Sequence, residues 1–430
     1  MKLEISPSVM DGQRTHLERL PTNTLSHHNR VQRWANFIAG YSVEFVENCL
    51  SEVQHDDGLI IDPFMGCGTT LVAARNLGLD AVGFDRHPVF YNLANAKLRV
   101  HTVDELLSVV SALQSASAGV AWSSDATTFL QKMFATEELG HINAASAVIP
   151  SLPLTLQPLA TLIFLRACER TCGAQTDGIY KAPSSTKRSI PFKAALESVA
   201  GELQADIEST WYAEHWSRQP DPTIYNKSSV SMDELVPESV AACVTSPPYL
   251  NNFDYAEMTR MQLYLLGWAS SWREISDKLR NDLITNTTTA LRGKKGKEYQ
   301  EGTRSDIPGD LVHELDGLVL RLRAERAVRA GKKDYDYLIY PYYHEIRGVL
   351  ANLYRAMKPK SSIDWVVADA ALYGVHIKTH IHTSRLMTEI GFTDISITKM
   401  RSRGTRWVLN KRDGAEEGLG EYHIRAFKGE

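Results

Sequence analysis

The sequence of 430 residues lacks several features that would assign it to a class at once. It has no apolar run of about 18 residues and its N-terminus has no apolar signal-peptide core, so we expect a cytoplasmic protein without a membrane span. It also lacks an excess of basic charge, because the formal net charge is −4. Any surface that binds nucleic acid must therefore be local.

Cysteine is scarce and offers no framework of cross-links. The five cysteines are odd in number and scattered along the chain, which favours a reducing compartment over a disulfide-stabilised fold. Cys168 and Cys172 lie one helical turn apart, but no further paired ligands flank them. We therefore expect no metal site.

The first strong pattern is LIIDPFMGCGTTLVAARNLGLDAVGFD, which begins at Leu59. Its apolar runs and glycines predict a strand at 59–61, a turn at 62–68, a helix at 69–77 and a strand at 81–84. Thr69 or Thr70 is the expected N-cap of the helix. This order is the opening of a βαβ unit, in which a glycine turn lets the backbone approach a ligand closely.

An acidic residue closes the second strand of this unit. Asp85 follows Gly66 by 19 positions, close to the roughly 20 expected for a carboxylate that binds ribose. The turn has GxG but lacks the third glycine of GxGxxG, and no GxxxxGK[ST] motif follows. The pattern therefore predicts a nucleoside-containing cofactor and disfavours both a dinucleotide and phosphoryl transfer.

The second strong pattern is TSPPY at residues 245–249, directly after an apolar run. Two consecutive prolines remove backbone donors and disfavour the α conformation before each ring, so a strand must end here. The Ser246 hydroxyl and the proline carbonyls accept hydrogen bonds, and the Tyr249 ring offers a flat surface. We expect this tip to bind an amino group on a planar base; the alternative is an ordinary strand-terminating turn.

Together, DPFMGCGTT, Asp85 and TSPPY resemble the motifs of S-adenosylmethionine-dependent DNA amino-methyltransferases, which methylate cytosine N4 or adenine N6. The resemblance implies a Rossmann-like α/β fold, with a mostly parallel seven-stranded sheet, helices on both faces and two insertions, the first mainly helical. It implies that S-adenosylmethionine is bound by Asp62, Phe64, Gly66, Gly68, Thr69 and Asp85, with the ribose hydroxyls on Asp85. It implies that catalysis belongs to Ser246, Pro247, Pro248 and Tyr249.

Serine at the start of SPPY favours cytosine N4 in this family, where Asp or Asn is commoner for adenine N6. A cytosine-C5 enzyme would need a nucleophilic thiol, usually in a Pro-Cys pair, and the sequence has no such pair. The preferred interpretation is methylation of a cytosine rotated out of the duplex. The alternatives are an adenine-N6 enzyme, an RNA or protein amide methyltransferase, and a non-enzymatic DNA-binding or defence-complex subunit.

The rest of the chain divides into core segments and insertions. An irregular N-terminal arm and the cofactor half of the core occupy 1–100, the catalytic segment 216–270 and the C-terminal core 336–430. A mainly helical insertion at 101–215 has more acidic than basic residues, contains a loop at 180–191 and is a candidate target-recognition region. A second insertion at 271–335 has more basic than acidic residues and is a candidate DNA contact.

Basic and polar residues near the expected cleft predict where double-stranded DNA would bind. The segment 399–412 carries six Lys or Arg residues and no acid, and we expect a basic hairpin there. The candidate contacts are Asn251, Lys294, Lys295, Arg401, Arg403 and Arg406. Asp254, just beyond the tip, is either a helix cap or a functional group. A cognate restriction or defence-system subunit is a further candidate partner.

Overall fold

The computed structural model describes residues 9–11, 30–35, 40–53, 57–177, 180–251, 253–292, 296–329, 333–403 and 419–430. A large mixed sheet with helices on both faces forms the centre of the molecule. The fold is therefore the Rossmann-like α/β class that the resemblance implied. None of the helices in these ranges is long and apolar enough to cross a membrane.

The strands of the described residues include short parallel core strands and long C-terminal strands. They are β1 (Val9–Asp11), β2 (Leu59–Asp62), β3 (Ala81–Phe84), β4 (Ala174–Asp177), β5 (Tyr180–Thr186), β6 (Thr223–Tyr225), β7 (Val240–Thr245), β8 (Met357–Ala368), β9 (Ala370–Leu372), β10 (Val375–Ile377), β11 (Phe392–Arg403) and β12 (Leu419–Lys428).

The helices of the same ranges cover both faces of the sheet. They are α1 (Val43–Leu50), α2 (Thr69–Asn76), α3 (Pro88–Leu98), α4 (Val103–Ser115), α5 (Ser124–Leu130), α6 (Thr136–Val148), α7 (Gln157–Thr171), α8 (Phe192–Ile207), α9 (Thr210–Glu214), α10 (Tyr255–Met258), α11 (Arg260–Leu265), α12 (Trp272–Lys278), α13 (Gly296–Arg304), α14 (Gly309–Val328), α15 (Ile339–Ala356) and α16 (Thr379–Ile390).

The order of the strands places a topological switch point in the middle of the sheet. The order is β1-β11-β12-β8-β7-β2-β3-β6, and the five strands from β8 to β6 run parallel. β12 is antiparallel to both of its neighbours. Seven of the eight strands correspond to the expected sheet, and the eighth, β1, is a short edge strand within the predicted irregular arm. The chain leaves β2 toward β3 on one side and returns as β7 on the other, so a ligand crevice is expected between β2 and β7.

The sheet separates two hydrophobic cores. Neighbouring residues of β2 point to opposite faces, so Ile60 belongs to one core and Ile61 to the other. The first core contains the buried residues of α4, α6, α7 and α8, so the first insertion extends the face that α1, α2 and α3 cover. The second core contains the apolar residues of the second insertion from Ile284 to Leu322, together with α15 and α16.

Two local predictions were wrong. The N-cap of α2 is Gly68 in a left-handed conformation (φ 81°), without a side-chain cap, because the Thr70 hydroxyl donates to a buried carboxylate instead. The predicted loop at 180–191 contains β5, which pairs with β4 as an antiparallel hairpin. Hydrogen bonds to β4 stabilise an extended conformation that the Pro, Ser and Lys composition of this segment does not predict.

Candidate active site

A cavity of about 870 Å³, including its open mouth, lies at the carboxyl ends of β2, β3 and β7. Seven of the residues predicted for cofactor binding and catalysis line it, namely Asp62, Phe64, Gly66, Thr69, Asp85, Ser246 and Pro248. The fold therefore brings the glycine turn and the SPPY tip to one site, at the switch point of the sheet.

The Asp62 carboxylate joins the two motifs. It is 1% exposed, and its Oδ1 accepts hydrogen bonds from the Phe64 amide at 2.9 Å and the Thr245 hydroxyl at 2.6 Å. Its Oδ2 accepts from the Tyr41 hydroxyl at 3.0 Å and the Thr70 hydroxyl at 2.6 Å. Burial raises the pKa of Asp62, and these four hydrogen bonds oppose that shift. Protein donors thus use the lone-pair positions of this carboxylate, so any cofactor contact at Asp62 would have to share one of them.

Asp85 supports the glycine turn and keeps spare acceptor positions. Its Oδ2 accepts from the Gly66 amide at 3.0 Å and its Oδ1 from the His87 amide at 2.7 Å. Each oxygen has a second lone pair, so two hydroxyl groups of a ribose could still be accepted. Burial raises the pKa of Asp85 to about 7. Gly66 has a φ of 52°, a left-handed conformation that favours glycine at this bend.

A buried lysine lies behind the same turn. The Lys97 ammonium donates to the Cys67 carbonyl at 2.7 Å and to the Gln32 side chain, whose amide nitrogen donates to the Thr69 hydroxyl at 2.8 Å. Burial lowers the pKa of Lys97 to about 8. Sequence reasoning missed Lys97, because one lysine in a helix gives no sign that it is buried.

His87 is a second lining residue that sequence reasoning missed. Its Nδ1 accepts from the Val89 amide at 3.3 Å, so it caps α3 directly before Pro88. Its Nε2 lies 2.8 Å from the Thr259 hydroxyl, and burial lowers its pKa to about 3. The imidazole is therefore neutral at physiological pH. The His-Pro pair at a helix start was the available signal, since proline favours the first helical position.

The lining fits S-adenosylmethionine. The Asp85 oxygens can accept ribose hydroxyls, while Phe64 and Phe90 provide apolar ring surface in the same cavity. Ser246 and Pro248 line the cavity as well, next to where an acceptor base would have to bind. Gly68 is absent from the lining but forms the left-handed start of α2 just behind it.

The SPPY tip is linked to the last strand of the sheet. The Ser246 hydroxyl donates to the Tyr249 hydroxyl at 3.2 Å, which donates to Glu421 Oε1 on β12 at 3.0 Å. The other oxygen of Glu421 accepts from Arg401 Nε at 2.6 Å. Arg401, which the sequence predicts to be a DNA contact, thus pairs with an acid beside the tip. Pro247, the residue after Ser246, is buried.

The second insertion supports the tip from the other side. The Asn286 side chain donates to the Tyr249 carbonyl at 3.3 Å and to the Phe253 carbonyl at 2.9 Å. Asp254 accepts from the amides of the first turn of α10 and pairs with the buried Arg280 at 3.0 Å. The capping interpretation of Asp254 is therefore confirmed. Asn251 is exposed next to the tip, and its side-chain oxygen accepts from the Phe253 amide.

The remaining DNA-contact predictions have no structural test. Lys294, Lys295 and Arg406 lie outside the described residues. Arg403 is the last residue of β11, but its side chain is likewise outside what the structure describes. The segment joining β11 and β12, where the basic hairpin would close, also lies outside those ranges. These residues stay predictions.

One cluster away from the cavity lining has the composition of a metal site. Cys49, Asp364 and His423 bring ligand atoms within 4.8 Å of one another. The His423 ring already bonds Asp364 Oδ1 at 2.7 Å, and the Arg425 guanidinium lies 3.8 Å from the same oxygen. A cation would have to compete with both of these groups, so we assign no metal to the cluster.

Comparison with known proteins agrees with this geometry. Residues 12–96 match a family model described as DNA methylase. Type II methyltransferase M.BsoBI of Geobacillus stearothermophilus is 22% identical over 92% of this chain and 85% of its own length. Type II methyltransferase M.AvaI of Nostoc sp. is 21% identical over 84% of this chain and 78% of its own length. By this matched segment and these relatives, the chain is similar to DNA amino-methyltransferases, whose methyl donor is S-adenosylmethionine.

Proposed function

We propose that the protein transfers a methyl group to the exocyclic N4 of a cytosine in double-stranded DNA. The observation that supports cytosine is the identity of Ser246, the residue that directly follows β7. Ser246 occupies the first position of the tip and lines the same cavity as the glycine turn and Asp85. Serine at this position favours cytosine N4 within the family.

The chemistry requires an activated amino group, because the lone pair of the cytosine N4 is conjugated with the ring. The Ser246 hydroxyl and the Pro247 carbonyl would accept hydrogen bonds from the two N–H groups and draw the nitrogen toward tetrahedral geometry. When bound, S-adenosylmethionine supplies the electrophilic methyl group. The contribution of the chain is then mainly positioning and electrostatic stabilisation.

The base must leave the duplex to reach the tip. Rotating it out costs a few kcal/mol, and stacking on the Tyr249 ring would return about 1–3 kcal/mol. On the cofactor side, we assign Phe64, Gly66 and Gly68 to the methionine part, Asp62 and Thr69 to the support of that turn, and Asp85 to the ribose. The relatives are named Type II methyltransferases, and we propose that this chain acts at a specific DNA site.

The test is nucleoside analysis of DNA methylated by the purified protein. We expect N4-methyldeoxycytidine, and loss of most of it with Ser246→Ala. A matched control is Ser239→Ala, since the Ser239 hydroxyl bonds the Val236 carbonyl and does not line the cavity. N6-methyldeoxyadenosine would reassign the base. Methyl transfer to RNA or protein, with DNA inert, would overturn the proposal.

A further inference from the structure

A continuous hydrogen-bond chain leads from the cavity to a buried acid. The Ser246 hydroxyl donates to the Tyr249 hydroxyl at 3.2 Å, and the Tyr249 hydroxyl donates to Glu421 Oε1 at 3.0 Å. Both donors point in the same direction, from the substrate side toward β12. An ionised carboxylate has only acceptor positions, so the chain ends at Glu421.

Glu421 is a buried residue close to the cavity and not a surface charge. It is 3% exposed, although it lies only two links from a residue that lines the cavity. Its second oxygen accepts from Arg401, which stands directly opposite it in the β11–β12 register. The acid is thus joined to a cavity-lining hydroxyl through one intermediate hydroxyl, which is a position from which it can take part in proton transfer.

The proposed methyl transfer creates a need for such an acid, and the inference rests on that proposed function. An amino nitrogen that gains a methyl group carries a positive charge and must lose one proton. A neutral serine or tyrosine hydroxyl can accept that proton only if it passes its own proton onward. A carboxylate can retain it.

We propose that Glu421 is the terminal proton acceptor of the methyl-transfer site, reached through Ser246 and Tyr249. One N–H bond of the base breaks as an O–H bond forms on Ser246; the serine proton moves to Tyr249, and the tyrosine proton moves to Glu421. The base loses one proton, Glu421 gains one, and both hydroxyls end as they began. The positive charge leaves the base and neutralises the carboxylate, while Arg401 keeps its own charge.

A merely structural role for Glu421 makes different predictions. If the acid only holds the tyrosine ring in place, an amide should serve almost as well, because Glu421→Gln keeps the shape and an oxygen acceptor for the Tyr249 hydroxyl. The amide cannot take up a proton at neutral pH. Tyr249→Phe keeps the ring for stacking and removes the middle link, without any change to β12.

The experiment measures the single-turnover methylation rate with saturating DNA and cofactor, together with both dissociation constants. We expect Glu421→Gln and Tyr249→Phe each to slow the reaction about 100-fold, which is typical of a lost general base, with dissociation constants unchanged within about twofold. The double variant should be no slower than the slower single variant, because both changes break one chain. Glu421→Asp should retain more activity than Glu421→Gln.

Arg425→Gln is the matched control, since it removes a charge from the same strand, and Arg425 does not line the cavity. It should leave the rate unchanged. A Glu421→Gln rate within about threefold of wild type would overturn the inference, as would losses that multiply in the double variant. The proposed function is judged separately, by which methylated nucleoside the unmodified protein makes, whereas the relay is judged by ratios of variant to wild-type rates.

Discussion

The two insertions are attached to the site in different ways. The first packs on one face of the sheet, whereas the second begins on that same face with Ile275 and Leu279 and packs on the opposite face from Ile284 onward. The first insertion extends the apolar core of the face that bears α3, and among its polar attachments the Ser146 hydroxyl donates to the Leu265 carbonyl. The second insertion reaches the catalytic tip itself through Asn286 and Arg280, and its Leu283 lines the cavity. We therefore expect the second insertion to affect the chemistry, and the first chiefly to affect the stability of the core.

The net charge of an insertion therefore does not show which of its residues contact the site. The sequence predicts a DNA contact in the second insertion because this insertion has more basic than acidic residues. Its described contacts with the catalytic segment come from the amide side chain of Asn286 and from one of these arginines, Arg280, in a buried ion pair. Any role of the insertion in binding phosphates would be additional to this support.

The largest expected effect in the comparison comes from the buried pair. Arg280→Met would leave the Asp254 carboxylate enclosed without its cation, which should cost about 3–5 kcal/mol of unfolding free energy. Arg166→Met in the first insertion is the control, because its partner Glu202 is 42% exposed by side chain and keeps Arg170. That change should cost no more than ~1 kcal/mol. Urea unfolding measures both, and equal losses would remove the distinction.

Two asparagines, one in each insertion, test whether the second insertion affects the chemistry. Asn286 bonds two carbonyls of the catalytic segment, while Asn143 in the first insertion bonds the amide and the carbonyl of Val120. Replacing either with alanine should cost roughly 1–3 kcal/mol of stability. Only Asn286→Ala should slow methylation, by about tenfold, because the tip loses its position. Comparable single-turnover rates for the two variants would show that the second insertion is not coupled to the chemistry.

Cofactor affinity should depend on pH through Asp85 and not through either insertion. The pKa of Asp85 is raised to about 7 in the free protein, and hydroxyl donors of a bound ribose would favour the ionised form. Below pH 7, binding must therefore release a proton, so the dissociation constant should rise about tenfold for each pH unit of acidification. Above pH 7 it should be constant. Calorimetric titrations of S-adenosylmethionine at several pH values test this, and a dependence that survives in Asp85→Asn would contradict it.

The smallest effect belongs to the exposed ion pair between the cofactor half and the second insertion. Arg86 donates to Asp282 at 2.9 and 2.6 Å, with side chains 32% and 47% exposed. Arg86→Gln should lower the free energy of unfolding by ~0.5 kcal/mol. Arg347→Gln, which breaks a similarly exposed pair with Glu389, should have the same effect. Since Asp282 lines the cavity, only the first should change cofactor affinity, by less than about twofold. Thermal unfolding and cofactor titration compare them.

The sequence predicted the parts of the fold and site that are encoded locally. The strand that begins at Leu59, the helix α2 and the strand that ends at TSPPY follow from short apolar runs and their boundaries, and the structure confirms them. The two motifs were recognisable because their residues are contiguous. The predicted functional residues of each motif therefore lie within a few adjacent positions of the sequence.

The supporting residues could not be found in that way. Glu421, Asn286 and Tyr41 meet the motifs only after folding, from positions 172, 37 and 21 residues away from their partners. A single acid, amide or phenol carries no local signal of such a contact. The left-handed Gly68 likewise takes the place of the expected threonine cap, because the Thr70 hydroxyl donates to the buried Asp62 carboxylate instead.

The Asp62 carboxylate has a consequence for how such a chain can change in length. Its bond with Thr245 joins residues 183 positions apart, so the alignment of β2 with β7 is fixed by side chains and sheet pairing and not by the intervening segment. The entropy of closing a flexible loop grows by only ~0.6 kcal/mol for each doubling of its length. Lengthening a surface loop between the two motifs therefore adds little to the cost of bringing them together, so the interval can accept further residues without a change in the alignment of β2 with β7.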